Sequence, residues 1–274
     1  MYRRREGMLK RVVVILAAVA ACLVASAAPA RASTDVFSGV GMFVDNPQDF
    51  PDAATVAGWL QASHFTWIAL HIDNVATLEW TDPSWIPTMR AAGIQVGVWG
   101  VEGNDPTAGA AIANLVLQTW SFDFYIADAE NPYEGRHRST GWERSPAFVR
   151  AFRAMQPTIP AALVTLGAAK APYVLPIDFA AWRNGGFDLL PEAYYNQYPG
   201  YRPDLAVAHA QRAGWPLSRV HPVIGVYDHY PASAYVPLLS NLGTRGFSVF
   251  LGDQMTQADY AALSGVAAQT LAAG

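Results

Sequence analysis

Eight short apolar runs, each followed by a stretch carrying helix-start signals, constrain the fold of this chain more than any other feature. The runs are Gly39–Asp45, Thr66–Asp73, Gln95–Val101, Phe122–Glu130, Ala161–Thr165, Leu189–Asn196, Val220–Asp228 and Gly246–Gly252. Cores such as Trp67-Ile68-Ala69-Leu70 and Ser248-Val249-Phe250-Leu251 are continuously apolar, the pattern of strands covered on both faces. Asp82-Pro83, Asp105-Pro106 and Ser145-Pro146 each set a capping side chain before a proline in a first helical turn, the last opening a helix over Ala147–Met155. Gly93 follows Trp85–Ala92 as a C-terminal cap, and Thr256-Gln257-Ala258-Asp259 is a capping box. Strands alternating with helices imply a parallel sheet, and eight such units over residues 33–274 predict an α/β fold, a single TIM-type (β/α)8 barrel. A doubly wound open sheet is the alternative, but no glycine fingerprint follows the first strand. No domain boundary is visible. The longest connection, Asn131–Arg144, follows the fourth strand on the face where barrels carry their sites.

Residues 1–32 read as a signal peptide. Arg3, Arg4, Arg5, Lys10 and Arg11 precede the apolar run Val12–Val24, and Ala30-Arg31-Ala32 supplies a cleavage site before Ser33. As a membrane helix the run is short. Val19-Ala20-Ala21-Cys22 resembles a lipoprotein box, yet Leu23 and Val24 continue the apolar run instead of starting a polar tether. Cleavage removes six of 18 basic and one of 22 acidic residues, leaving a net charge of −9 over 242 residues and no cysteine. Such a charge excludes a protein built to coat nucleic acid. With 52% hydrophobic and 12% aromatic residues the chain is no disordered tail, and at this size a core alone can hold it. The expectation is a secreted monomer with no stable membrane insertion.

The acidic residues are few, 22 of 274, yet they collect at one end of the strands. Asp45, Asp73, Glu102, Asp128 with Glu130, Asp228 and Asp253 stand at or near carboxyl ends, and Glu192 lies within the sixth run. Like charges gathered there are costly without a use. Asp45 and Asp253 also read as caps or as loop residues just past a strand. The sharpest cluster is Phe122-Asp123-Phe124-Tyr125-Ile126-Ala127-Asp128-Ala129-Glu130, where alternation sets Phe124, Ile126, Asp128 and Glu130 on one face. Two adjacent carboxylates keep a proton on an acid near neutral pH, and glycoside cleavage uses such a pair.

An Asp-x-Glu at the end of the fourth strand of a secreted barrel resembles the glycoside hydrolases of families 18 (chitinases) and 25 (lysozyme-type muramidases). The family 18 pattern is Asp-x-x-Asp-x-Asp-x-Glu; this chain has Asp123, then Ile126 in place of the second Asp, then Asp128 and Glu130. The family 25 likeness rests on Asp45 in Gly41-Met42-Phe43-Val44-Asp45 and on the same pair. The resemblance implies hydrolysis of an N-acetylated cell-wall or chitin-like polysaccharide, with Glu130 as proton donor and then base. It implies that Asp128 orients the N-acetyl group or stabilises the ring cation. Glu192, Tyr194 and Asn196 share one face of the sixth run, and the resemblance gives Tyr194 and Asn196 the acetamido group.

Asp45, Asp73, Asp228 and Trp99 complete the substrate-binding candidates. Trp142, Tyr133, Tyr227 and Tyr230 are further aromatic faces near strand ends. No metal or cofactor is expected, since the six histidines show no ligand spacing; His71 and Asp73, with Asp45 or Glu102, are the grouping that a metal-dependent hydrolase would use. No Gly-x-Ser-x-Gly elbow is present. Arg136, His137, Arg138 and Arg144 make the connection after the fourth strand basic, either a solvated loop or a seat for an anionic glycan. Ile126 motivates the rival function, a catalytically silent barrel that binds glycans or wall components.

Overall fold

The first strand hydrogen-bonds to the last, which closes the sheet and excludes the open doubly wound alternative. The computed structural model describes residues 35–72, 84–130, 133, 138–166, 177–197 and 200–273, within one unit, Asp35–Gly274. All neighbours pair in parallel in chain order: β1 (Gly39–Val44), β2 (Phe65–His71), β3 (Gln95–Val101), β4 (Tyr125–Asp128), β5 (Ala161–Leu166), β6 (Phe187–Ala193), β7 (Val223–Gly225) and β8 (Gly246–Phe250). The described helices are α1 (Ala53–Ala62), α2 (Trp85–Ala91), α3 (Pro106–Trp120), α4 (Arg138–Met155), α5 (Phe179–Asn184), α6 (Pro203–Arg212), α7 (Val236–Leu239) and α8 (Gln257–Ala273). The chain is therefore a (β/α)8 barrel. Among the described residues no helix is long and apolar enough to cross a membrane. The signal segment, Asp73 and the Asp82-Pro83 cap lie outside the described residues.

Local signals explain several helix boundaries. Asp105 accepts the Thr107 and Ala108 N–H groups at the start of α3, and Asp52 accepts that of Thr55 at the start of α1. Gly93 takes φ +78° just past α2, where Gly93 N–H bonds the Arg90 carbonyl and Ile94 N–H that of Met89. At α8 the capping box is reciprocal: Thr256 N–H donates to Asp259 Oδ2 at 2.9 Å and Asp259 N–H to Thr256 Oγ1 at 3.4 Å. Asp259 also accepts the Ala232 N–H at 2.8 Å, so one carboxylate ties α8 to the turn before α7. Asp259→Ala is expected to cost about 1–2 kcal/mol. Urea titration should show a lower midpoint at unchanged slope; an unmoved midpoint would refute the tie.

The helix after the fourth strand differs from its sequence signal. Ser145-Pro146 does not open it; α4 begins at Arg138 and runs through Pro146. Ser145 is fully buried, and its Oγ instead accepts the N–H of Asp178, which caps α5. The connection expected over Asn131–Arg144 thus becomes helix by residue 138. β4 is also shorter than Phe122–Glu130, spanning Tyr125–Asp128, although Asp123 N–H still donates to the Val96 carbonyl. The side chain of Asp123 is held at the same place. Its carboxylate accepts the Val96 N–H at 2.9 Å and pairs with Arg90 at 3.1 Å, at the strand's entry and opposite Glu130.

Strand alternation builds two cores. Phe43, Trp67, Phe124, Ile126, Val164 and Leu190 fill the barrel interior, while Met42, Ile68, Tyr125, Leu163, Phe187 and Val249 pack outward beneath the helices. The interior is tight enough to demand glycine. A Cβ on Gly41 would lie 1.9 Å from the Trp67 ring, and one on Gly97 would lie 2.2 Å from Phe124. This plug of rings is the floor on which the polar mouth stands.

Candidate active site

Inward parity on β4 runs Phe124, Ile126, Asp128, so the first polar side chain above the apolar plug is a carboxylate. β6 follows the same rule with Leu190, Glu192 and then Tyr194. The two strands flank β5, whose Val164 pairs with Asp128 and whose Leu166 pairs with Glu192. One oxygen each of Asp128, Glu130 and Glu192 lies within 4.8 Å of the others. Asp128 and Glu192 are buried, 7% and 4% exposed, whereas Glu130 is open to solvent.

A pocket of about 430 Å³ opens above them. Glu130, Glu192, Tyr194, Tyr227, Asp228 and Phe250 are among its lining residues. Phe250 is the central wall: Tyr194 stacks on it at 5.6 Å and 22°, and Tyr227 meets both rings edge-on. Burial, reinforced by Glu192 and Asp128, holds the Tyr194 hydroxyl well above its ordinary pKa, so it remains a proton-bearing donor. Asp228 sits at φ +58° with its N–H on Gln254 Oε1 at 3.2 Å.

Other candidates are engaged elsewhere. Asn196 lies past β6; its Nδ2 donates to the Tyr227 carbonyl and its Oδ1 accepts the Tyr235 hydroxyl, which braces two strand ends. Asp45 pairs with His71 Nδ1 at 3.0 Å on the opposite side of the mouth. His71 stacks on Trp99 at 4.1 Å, and Trp99, only 4% exposed, donates Nε1–H to the Val44 carbonyl; the indole is a wall, not an open platform. Asp253 accepts the Asn46 N–H, and burial lifts its pKa to about 6. Tyr133 is buried against Trp182 of α5, Tyr230 packs on Tyr195 and Tyr235, and Trp142 is exposed on α4.

Glu102 corrects the carboxylate ring read from sequence. Trp99 faces the bore, so Glu102, three residues on, faces the helix layer, where it accepts the Tyr125 hydroxyl at 2.5 Å. It cannot join His71 in a metal site. At the barrel's other end Asp188 pairs with Arg219 and His221, and Asp35 with Arg245; the guanidinium groups already neutralise those carboxylates. The sequence reading missed Phe250, Gln254, Gln197 and Leu166 as pocket walls. For Phe250 the signal was present: it shares inward parity with Ser248 at the carboxyl end of β8.

In sequence the chain matches no protein-family model and no curated protein. In structure it is similar to a GH18 chitinase mutant from Cycas revoluta solved with (GlcNAc)4, at TM-score 0.64 and 9% identity over 85% of this chain and 99% of that one. It is also similar to the spore cortex-lytic enzyme SleL of Bacillus megaterium, at TM-score 0.59 and 9% identity over 84% and 73%. A third match is the chitinase-like agglutinin of Robinia pseudoacacia, at TM-score 0.60 and 13% identity over 84% and 98%. At these identities the likeness establishes a shared barrel fold, one that carries both hydrolases and a lectin-like protein.

Proposed function

We propose that the protein is a secreted glycoside hydrolase that cleaves an N-acetylated cell-wall or chitin-like polysaccharide by carboxylate acid/base catalysis. The observation that carries this reading is the Asp128, Glu130 and Glu192 trio beneath a pocket walled by tyrosine and phenylalanine rings. Glu130, the exposed member, protonates the glycosidic oxygen and then serves as base toward water. Asp128 and Glu192, buried behind it, stabilise the positive charge that develops on the sugar ring. The Tyr194 hydroxyl donates to the acetamido oxygen, and Phe250 offers its face to the sugar. The neighbours' described ligand, (GlcNAc)4, and the cortex-lytic activity of SleL support this substrate class.

The second reading, a glycan-binding barrel without turnover, is favoured by Ile126, an apolar side chain in the interior plug where the resembled pattern has a carboxylate. The deciding test is release of reducing ends from purified chitin and from peptidoglycan by the chain beginning at Ser33. Turnover supports the hydrolase; retention on one polymer without turnover supports the binder. Tyr194→Phe keeps the ring stack and removes only the donor, and is expected to lower kcat about tenfold or more with an unchanged melting temperature. Unaltered kcat would remove Tyr194 from the chemistry. The export step rests on the leader's residues, and mass spectrometry of the extracellular protein should find a mature N-terminus at Ser33.

A further inference from the structure

We propose that Glu102 is a positioning residue that holds Asp128 and Glu130 from behind the sheet, through a backbone clamp on Asp128 and a buried polar brace to Tyr125 of the same strand, next to a second clamp on Glu130. This inference rests on the reading of Asp128 and Glu130 as the reacting carboxylates. The first clamp is Glu102 N–H donating to the Asp128 carbonyl at 2.8 Å. The second is Tyr133 N–H donating to the Glu130 carbonyl at 2.6 Å. Between them Ala129 N–H is taken by the Val164 carbonyl, so the backbone of the whole tripeptide is tied.

Both clamp residues are buried in the helix layer. Glu102 is 2% exposed and Tyr133 fully buried. Glu102 Oε1 accepts the hydroxyl of Tyr125, the outward residue of β4 three positions before Asp128. Oε2 lies so close to α3 that a Cβ on Gly109 would stand 2.7 Å from it. The Tyr133 hydroxyl is buried with no hydrogen-bond partner among the described residues, although Glu102 acts on it electrostatically. Phe148 and Phe152 of α4 stack on Tyr125 and close the compartment.

The charge state of Glu102 follows from this enclosure. Tyr125 faces it from β4 and Tyr133 from the segment after β4; α3 brings Gly109 with Asp105 at its cap, and α4 brings Phe148 with Arg144. Asp105 and Arg144 act on Tyr133 in opposite directions, and no cation pairs with Glu102 among the described contacts. Burial, partly offset by the Tyr125 hydrogen bond, raises the Glu102 carboxyl from 4.5 to about 8. The folded protein therefore keeps a proton that the unfolded chain releases. The stability this proton contributes is complete below about pH 4.5 and falls as pH climbs through about 8. Ionisation would place an unpaired charge against Gly109 and Phe148, and the clamps would loosen with it.

The test compares wild type, Glu102→Gln and Glu102→Leu. Glu102→Gln preserves a neutral acceptor for Tyr125; Glu102→Leu removes it. Residue-resolved hydrogen exchange of the Glu102 and Tyr133 amides reads the clamps without requiring turnover. In wild type their protection should fall about tenfold between pH 7 and 9 beyond the intrinsic base effect, while in Glu102→Gln it should stay flat. With active protein, Glu102→Leu should lower kcat about tenfold at nearly constant KM, and Glu102→Gln should recover most of it. If the protein turns over no polymer, the exchange result decides alone, so failure of the hydrolase reading and failure of the brace remain distinct. If Glu102→Leu does not fold, the wild-type and Glu102→Gln series suffices. Equal, pH-independent protection in both would overturn the proposal, as would a kcat untouched in a folded Glu102→Leu.

Discussion

Glu130→Gln is expected to lower the release of reducing ends about a hundredfold or more, with the fold and polymer binding intact. The amide is nearly isosteric but can neither give nor take the proton that the leaving oxygen and the attacking water require, and positioned proton transfer contributes about 10²–10⁴-fold. Glu130 is the exposed member of the trio; Asp128 and Glu192 are buried, although Glu192 also lines the pocket. Because its side chain is exposed, substitution removes little packing, and the melting temperature should stay within a degree or two of wild type. The rates should be compared on chitin and on peptidoglycan at saturating polymer, so that kcat and not affinity is read. Equal rates in the two proteins would exclude Glu130 as the acid and leave Glu192, its neighbour across β5, to be substituted next.

The second large effect is structural. Trp67→Ala is expected to cost about 3–5 kcal/mol, a large share of the about 5–15 kcal/mol that holds a typical domain. Trp67 is fully buried in the bore. It meets Phe37, Phe43 and Phe124 edge-on, with ring centroids 5.7, 6.0 and 5.4 Å away. Gly41 of β1 lies flat beneath it because no Cβ would fit. Neither the closed sheet nor the surrounding rings can collapse far into the vacated volume, so the cavity persists. Ile126 belongs to the same packed group and lies directly before Asp128 in the inward series, so the loosened plug should also cost activity. Urea unfolding gives the energy from the midpoint at constant slope; a loss below about 1 kcal/mol would show that the bore repacks.

How far the sequence was legible varies by element, for physical reasons. Gln95–Val101 agrees with β3 end to end, since Gly93 stops the helix before it and the run has no polar interruption. Over Val220–Asp228 only Val223–Gly225 forms β7, with a lone bridge at Val220, and the run leaves regular structure before Asp228 takes its left-handed turn. The start of α4 was misread because Ser-Pro is a good local cap, yet Ser145 gains more by accepting the Asp178 N–H inside the core than by capping its own helix. Alternation reaches one residue past Ala193, to the inward Tyr194, but residues 195–197 form a turn, so Asn196 faces Tyr227 and Tyr235 instead of sharing a face with Glu192 and Tyr194. The outward direction of Glu102 was available from the two-residue period, counted from Trp99.

Local pattern determined by itself the alternation of eight strands with helices, their burial on both faces, and the inward direction of Asp128, Glu192, Tyr194 and Phe250. These properties depend on residues adjacent in the chain, through capping, backbone preference and strand parity. Tertiary structure alone decided which inward carboxylates meet. Asp128 and Glu192 are 64 residues apart in sequence and stand on strands separated by β5. Asp45, equally inward and equally near a strand end, pairs instead with His71. Those distances are set by closure of β1 on β8 and by how far the ring-filled bore lets the walls approach, quantities that arise only when all eight strands pack together.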